Sequence, residues 1–297
     1  MPTVRGAENF TLNSSLPATP GWLNAELIFR LSKYTIYALL MYNAVLFFRD
    51  DFAASAVTFG DTVTWRNVIE AYSATFDTAA WIVLLLLFEL ETAIIPDHLL
   101  KGGLKWVLKT ISAVAYFFII YAFYGYCVKY GMISNFSAFE IADVCSLIGT
   151  DFTFLAELDE YLEIDQLSCA ALNGQSLVQI AGTNIIGTQA ALSEAIRLAS
   201  VDIVNASDWL IIVFLLEVEV FLQLKDKLTK KRMLAAKYTK GFFYVILFLC
   251  AAYWGVKGSF LDFWDAFLWL VAFIFIELNI FQWHAESEED REHLMKV

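Results

Sequence analysis

Long apolar runs separated by short basic collars set the pattern of this chain. Runs long enough to cross a bilayer at ~1.5 Å per residue lie near Lys33 to Phe48, Thr78 to Ile95, Thr110 to Val128, Asp208 to Leu224, Gly241 to Val256 and Leu261 to Trp283. The pattern predicts six transmembrane helices. Residues 1 to 25 are polar and lack the apolar stretch of a signal peptide, so the first span is expected to serve as its own insertion signal.

The six spans resolve into three hairpins. Each opens on a basic collar, at Lys33-Tyr34-Thr35, Lys109-Thr110-Ile111 and Lys237-Tyr238-Thr239, and continues as an aromatic-rich helix. Each returns through a helix that starts near Asp77, Asp208 or Asp265, where a carboxylate can cap the helix and meet its positive dipole end. From Asp77 to Glu89 and from Asp265 to Glu277 is the same twelve residues; the middle repeat keeps that distance only if counted from Asn205 to Glu217. The expected fold is an all-α membrane protein of three hairpin repeats, pseudo-threefold in arrangement, with a small external α-rich domain.

The expected organisation is a cytoplasmic N-terminal segment (1–30), spans one to three (31–129), an external domain (130–207), spans four to six (208–284) and a cytoplasmic acidic tail (285–297). Within the external domain, Phe152 to Leu162 and Thr188 to Asn205 have helical spacing, the second with Ala190, Ala191, Ala195, Leu198 and Val201 as its apolar stripe. Thr62 to Phe76, between spans one and two, reads as a surface helix. Asn135-Phe136-Ser137 and Asn205-Ala206-Ser207 match the glycosylation triplet, which has meaning only in a eukaryote.

Composition agrees with the pattern: 59% hydrophobic residues, 26 Phe and a mean hydropathy of +0.59 exceed what the core of a soluble chain of 297 residues needs. All but Arg49, Arg66, Lys129, Arg197 and Lys257 of the 20 Lys and Arg fall on the side that holds both termini. Basic residues at span ends resist translocation, so both termini are expected in the cytoplasm, in a bacterial inner membrane or a plasma membrane. A net charge of −12 argues against a nucleic-acid partner. The lipid bilayer is the evident partner, with a second copy or other membrane subunits expected beside it. Leu224 to Tyr238 forms a basic helical stretch suited to an anionic lipid surface.

Cys127 and Cys250 fall in spans, whereas Cys145 and Cys169 fall in the external segment, where an oxidising compartment would let them pair; two separate buried thiols are the alternative. With no CxxC and three His, at positions 98, 284 and 293, little is available for zinc or haem, and no particular cofactor is implied.

The candidate chemistry lies in the acids of the return helices: Glu89 and Glu91, Glu217 and Glu219, and Glu277 with Asn279. An ionised carboxylate in hydrocarbon costs on the order of 2.5–3.5 kcal/mol on insertion scales, so each is expected to have a partner. Residues two apart are separated by ~200° around a helix, so the two acids of a pair cannot share a face. The expected function is ion handling: on this reading Glu89, Glu217 and Glu277 form an inner ring that binds a cation or relays protons, with Glu91, Glu219 and Asn279 as helix-to-helix partners. The other pairs the acids with the basic collars, through Lys33, Lys109 and Lys237, in a scaffold or accessory subunit of a larger complex. Enzymatic activity is not expected, since the chain carries no GxSxG, no HExxH and no Gly-rich phosphate loop.

Overall fold

The computed structural model describes residues 25–59, 63–65, 67–95, 99, 101–224 and 229–276; it is mostly helical (76%) and also holds a small sheet. The helices are α1 (Ala25–Thr58), a one-turn α2 (Val68–Ala71), α3 (Ser73–Glu89), α4 (Gly102–Ser134), α5 (Gln166–Leu172), α6 (Gln189–Leu224) and α7 (Lys230–Lys257), followed by α8 over residues 260–276. Four of them contain stretches long and apolar enough to cross a membrane: Leu27–Thr58, Gly102–Ser134, Gln189–Glu219 and Lys231–Lys257. The third helix is shorter, at 17 residues, and runs into a π-helical turn, Leu90–Ile94. That turn stops at Ile95, whose extended backbone (ψ 119°) suits a residue before proline.

These helices are apolar on both faces. On α7, Leu247, Cys250, Ala251 and Trp254 are buried at i, i+3, i+4, i+7, while Phe242, Val245, Phe248 and Leu249 are exposed. An outward surface of this kind is stable only out of water, against lipid or a partner. Inward side chains from six helices form one core: Tyr37 and Leu40 from α1, Trp81 and Leu85 from α3, Ala115 and Ile119 from α4, Trp209 and Ile212 from α6, Leu247 from α7, and Trp269, Ala272 and Phe273 from α8. Gly125 lets the corner between α2 and α3 seat on α4, since a Cβ there would stand 2.8 Å from the Ile69 carbonyl oxygen.

The segment between α4 and α6 departs from the α-rich expectation. It holds a five-stranded sheet of order β1-β4-β5-β2-β3, from β1 (Phe136–Phe139), β2 (Thr153–Glu157), β3 (Glu160–Glu163), β4 (Leu177–Ile180) and β5 (Ile185–Thr188). The β2–β5 pair is parallel and the other neighbours are antiparallel. Residues expected as a helix from Phe152 to Leu162 are therefore a hairpin. Both faces of the sheet are covered: Leu155, Val178, Ile180 and Ile185 pack on Ile133 of α4 and on Leu192, Ala195 and Ala199 of α6, while Leu177 and Ile186 pack on Val144, Cys169 and Leu172. A strand buried on both faces is apolar at every position, which hides the period of two.

The helix expected over Thr188 to Asn205 does form, as the first part of α6. At 36 residues, and ~54 Å by helical rise, α6 exceeds a ~30 Å hydrocarbon core and joins sheet and bundle as one rod. Of the surface helix expected over Thr62 to Phe76, Val68–Ala71 forms a single turn and residues 73–76 belong to the start of α3, residues 62 and 66 lie outside the described residues, and Trp65 stands 91% exposed.

Cys145 and Cys169 form a disulfide across 24 residues, tying the 3-10 turn Val144–Leu147 to α5. Loop closure of that size contributes about 3 kcal/mol. Asp165 caps α5 by accepting from the Leu167 and Ser168 backbone N–H groups, and the Ser168 bonds hold its carboxyl below the usual range.

Candidate functional site

Polar groups inside the bundle fall in two layers, separated by aromatic packing. The layer far from the sheet is built on Glu89, the last residue of α3. Its Oε1 accepts from Lys33 Nζ at 2.6 Å and from the Tyr34 hydroxyl at 3.1 Å, and its Oε2 from the Tyr37 hydroxyl at 3.4 Å. All three donors lie on α1, and Glu89 and Lys33 are both buried. Glu91 follows in the π turn and is exposed.

On α6 the roles of the two acids are exchanged relative to the expected inner ring. Glu219 is buried and accepts from Lys240 Nζ of α7 at 2.9 Å, whereas Glu217 is exposed and accepts from the Tyr116 hydroxyl of α4 at 3.1 Å. Counting ~100° per residue from Trp209, Glu217 and Glu219 lie ~80° to either side of the line that faces the core. One flank meets α4 and the other α7, so neither carboxylate points along the axis. Glu277 and Asn279, expected to complete the ring, lie outside the described residues.

The basic collars are also used unequally. Lys33 makes its expected pair. Lys237 is exposed, and Lys240, three residues on, takes the partner role expected of it. Lys109 is exposed and has no acidic partner among the described residues.

Between the layers, Trp81 lies 6.2 Å from Trp209 and 6.3 Å from Trp269, ring centre to ring centre, and Phe273 lies 4.4 Å from Trp209. These tryptophans come one each from α3, α6 and α8, at matching offsets in the sequence: four residues after Asp77, Asn205 and Asp265, and eight before Glu89, Glu217 and Glu277. Tryptophans near the ends of apolar runs ordinarily sit at the membrane interface, but Trp81 and Trp209 are both buried. The signal that could have placed them is this shared offset.

The second layer, at the sheet end, holds Asp77 and Asp265, but not as the helix caps expected: α3 starts at Ser73, α6 at Gln189 and α8 at residue 260, so Asp77, Asp208 and Asp265 all lie inside their helices. Asp77 accepts from the Tyr126 hydroxyl at 3.1 Å, and Asp265 accepts from Asn43 Nδ2 at 2.8 Å. The carboxylate of Asp51 on α1 accepts from the Thr75 backbone N–H at 2.9 Å and its hydroxyl at 2.6 Å, capping α3 from a neighbouring helix where Tyr72 supplies no side-chain cap. Lys129 of α4 is buried and pairs at 2.8 Å with Asp159, at the tip of the β2–β3 hairpin. Asp159 has φ 65°, a left-handed conformation that a short polar side chain tolerates. Beside it, Leu158 packs on Leu198, Cys250 and Trp254, so the hairpin tip is seated in the end of the bundle.

A cavity of about 20 Å³, room for one water, lies among Asp51, Ser55, Glu70, Lys129, Asp159 and Tyr161. At its edge, burial pushes the Glu70 carboxyl up against the opposing pull of Lys129, and burial likewise raises the Tyr161 phenol. Asp208 is buried, and one of its carboxylate oxygens has no hydrogen-bond partner among the described residues. Among the described residues, no group of three or more His, Cys, Asp or Glu is placed to hold a metal ion.

The arrangement can neutralise charge and lock helices together. Set beside known proteins, the chain matches no family model, no curated protein and no solved structure.

Proposed function

We propose that this protein is a non-enzymatic membrane scaffold or accessory subunit, whose intramembrane carboxylates hold helices in register. In this reading α3 and α8 cross the bilayer with the four longer helices, giving six spans as three hairpins around a pseudo-threefold axis. Both termini are cytoplasmic and the sheet domain is external, where an oxidising compartment suits its disulfide. The chain works beside a second copy or other membrane subunits, in an inner or plasma membrane.

One observation carries the reading: the three return helices meet through Trp81, Trp209 and Trp269, and the two buried glutamates found beyond them are each matched to a lysine of a neighbouring helix. A carboxylate bonded to a lysine over less than 3 Å needs no mobile cation. The tryptophans fill the place where an ion path along the axis would run. Cation or proton handling through Glu89, Glu217 and Glu277 is the second reading, and the oxygen of buried Asp208 that has no partner among the described residues is the observation in its favour.

The test is a charge exchange between α6 and α7. Glu219→Lys and Lys240→Glu, each alone, put two like charges together in a low-dielectric site and are expected to lower the apparent Tm of the purified protein sharply. The double exchange is expected to recover more than half of that loss. A double variant no more stable than the worse single variant would contradict a pairing role.

A further inference from the structure

Lys101, Lys105 and Lys109 recur every fourth residue at the start of α4, and each is exposed. Lys105 and Lys109 therefore share one helical face, and Lys101 stands just before the helix as its extended N-cap residue. None has an ion-pair partner among the described residues, and the first turn of α4 contains no acid. Like charges four apart on a helix repel, so this face is at its most favourable when an anion sits against it.

A shallow, open apolar depression of about 390 Å³ continues from the same side of α4, a groove formed by this helix alone through Trp106, Lys109, Thr110, Ala113, Val114 and Phe117. Ala113 is the small residue that opens it, between the exposed rings of Trp106 (73%) and Phe117 (62%). The Thr110 hydroxyl is turned back onto the Trp106 carbonyl oxygen at 2.8 Å, so it presents no competing polar group. From Trp106 to Phe117 the groove extends ~16 Å along the helix, about half of a ~30 Å hydrocarbon core.

We propose that this face is a binding site for one anionic phospholipid, its phosphate between Lys105 and Lys109 and an acyl chain lying in the groove beside Ala113. The charge of the lysines selects the headgroup, and the groove, open on the side that faces hydrocarbon, selects a chain rather than a soluble anion. The orientation proposed above decides only which leaflet supplies the lipid; binding itself does not depend on it.

The test uses the full-length protein in detergent, with phosphatidylglycerol, phosphatidylcholine of the same acyl chains, or inorganic phosphate added, and reads the apparent Tm together with lipid adducts in native mass spectra. Phosphatidylglycerol is expected to raise the Tm by several degrees more than phosphatidylcholine and to persist as a one-to-one adduct. Lys105→Gln with Lys109→Gln is expected to abolish that preference, and Ala113→Phe to weaken retention of both lipids. Lys257→Gln, at the other end of the bundle, is expected to change neither. Equal effects of the two lipids, a preference that survives the double lysine substitution, or an equal gain from inorganic phosphate would overturn the proposal. The charge exchange at Glu219 and Lys240 reads a different part of the bundle, so the two tests fail independently.

Discussion

Lys33→Met is expected to destabilise the protein by about 3–5 kcal/mol, the cost of leaving one member of a buried ion pair without its partner. Glu89 would retain only the Tyr34 and Tyr37 hydroxyls, at 3.1 and 3.4 Å, in place of an ammonium at 2.6 Å. The side chains of Lys33 and Glu89 are 8% and 4% exposed, so water cannot take over the missing role. Adding Glu89→Leu to Lys33→Met is expected to recover most of the loss, because an apolar pair of similar volume removes both desolvation penalties together. Reversible thermal or denaturant unfolding in lipid nanodiscs, run as a double-mutant cycle, measures both effects. A Lys33→Met protein as stable as the parent would show that the pair contributes nothing.

Truncating the centre of the bundle is expected to have the next largest effect. Trp209→Ala removes a ring that contacts Trp81 and Phe273 across two helix interfaces. The expected loss is about 3 kcal/mol, the low end for Trp→Ala, since a bundle in lipid gains less from apolar transfer than a core formed from water and depends more on close packing. Trp65→Ala, at a site 91% exposed, is expected to stay within about 0.5 kcal/mol of the parent. Equal effects at the two positions would mean that the tryptophan cluster is not the core.

The hydrophobic pattern foretold the helices well where length and periodicity act together. Spans near Lys33, Thr110, Asp208 and Gly241 coincide with helices able to cross a bilayer. It foretold the sheet domain poorly: Phe152, Phe154 and Leu155 are apolar at neighbouring positions because both faces of β2 are covered, and an apolar run carries no period. The acids were legible as a class, since a carboxylate within an apolar run demands a partner. Which acid turns inward was not legible, because Glu217 and Glu219 sit symmetrically about the buried line of α6 and only the placement of α4 and α7 separates them.

Lys33 was legible as a partner from its place in the basic collar; Lys240 belongs to the same kind of collar as Lys237, and only the packing of α6 on α7 shows that Lys240 meets Glu219 while Lys237 lies on an exposed face. The layer of Asp51, Lys129 and Asp159 was hidden for another reason. Its members come from α1, α4 and a hairpin tip, brought together by the docking of a domain whose fold the pattern had misread.

The central claim is that the intramembrane acids are counter-ions in a filled bundle, and ion flux tests it most directly. Purified protein is reconstituted into vesicles loaded with a pH-sensitive or a cation-sensitive dye, and dye response is followed after an acid or salt jump. Native, Glu89→Gln and Glu217→Gln proteins are all expected to leave the vesicles as tight as protein-free ones. Flux through the native protein that disappears in Glu217→Gln would contradict the account and establish the ion-handling reading in its place.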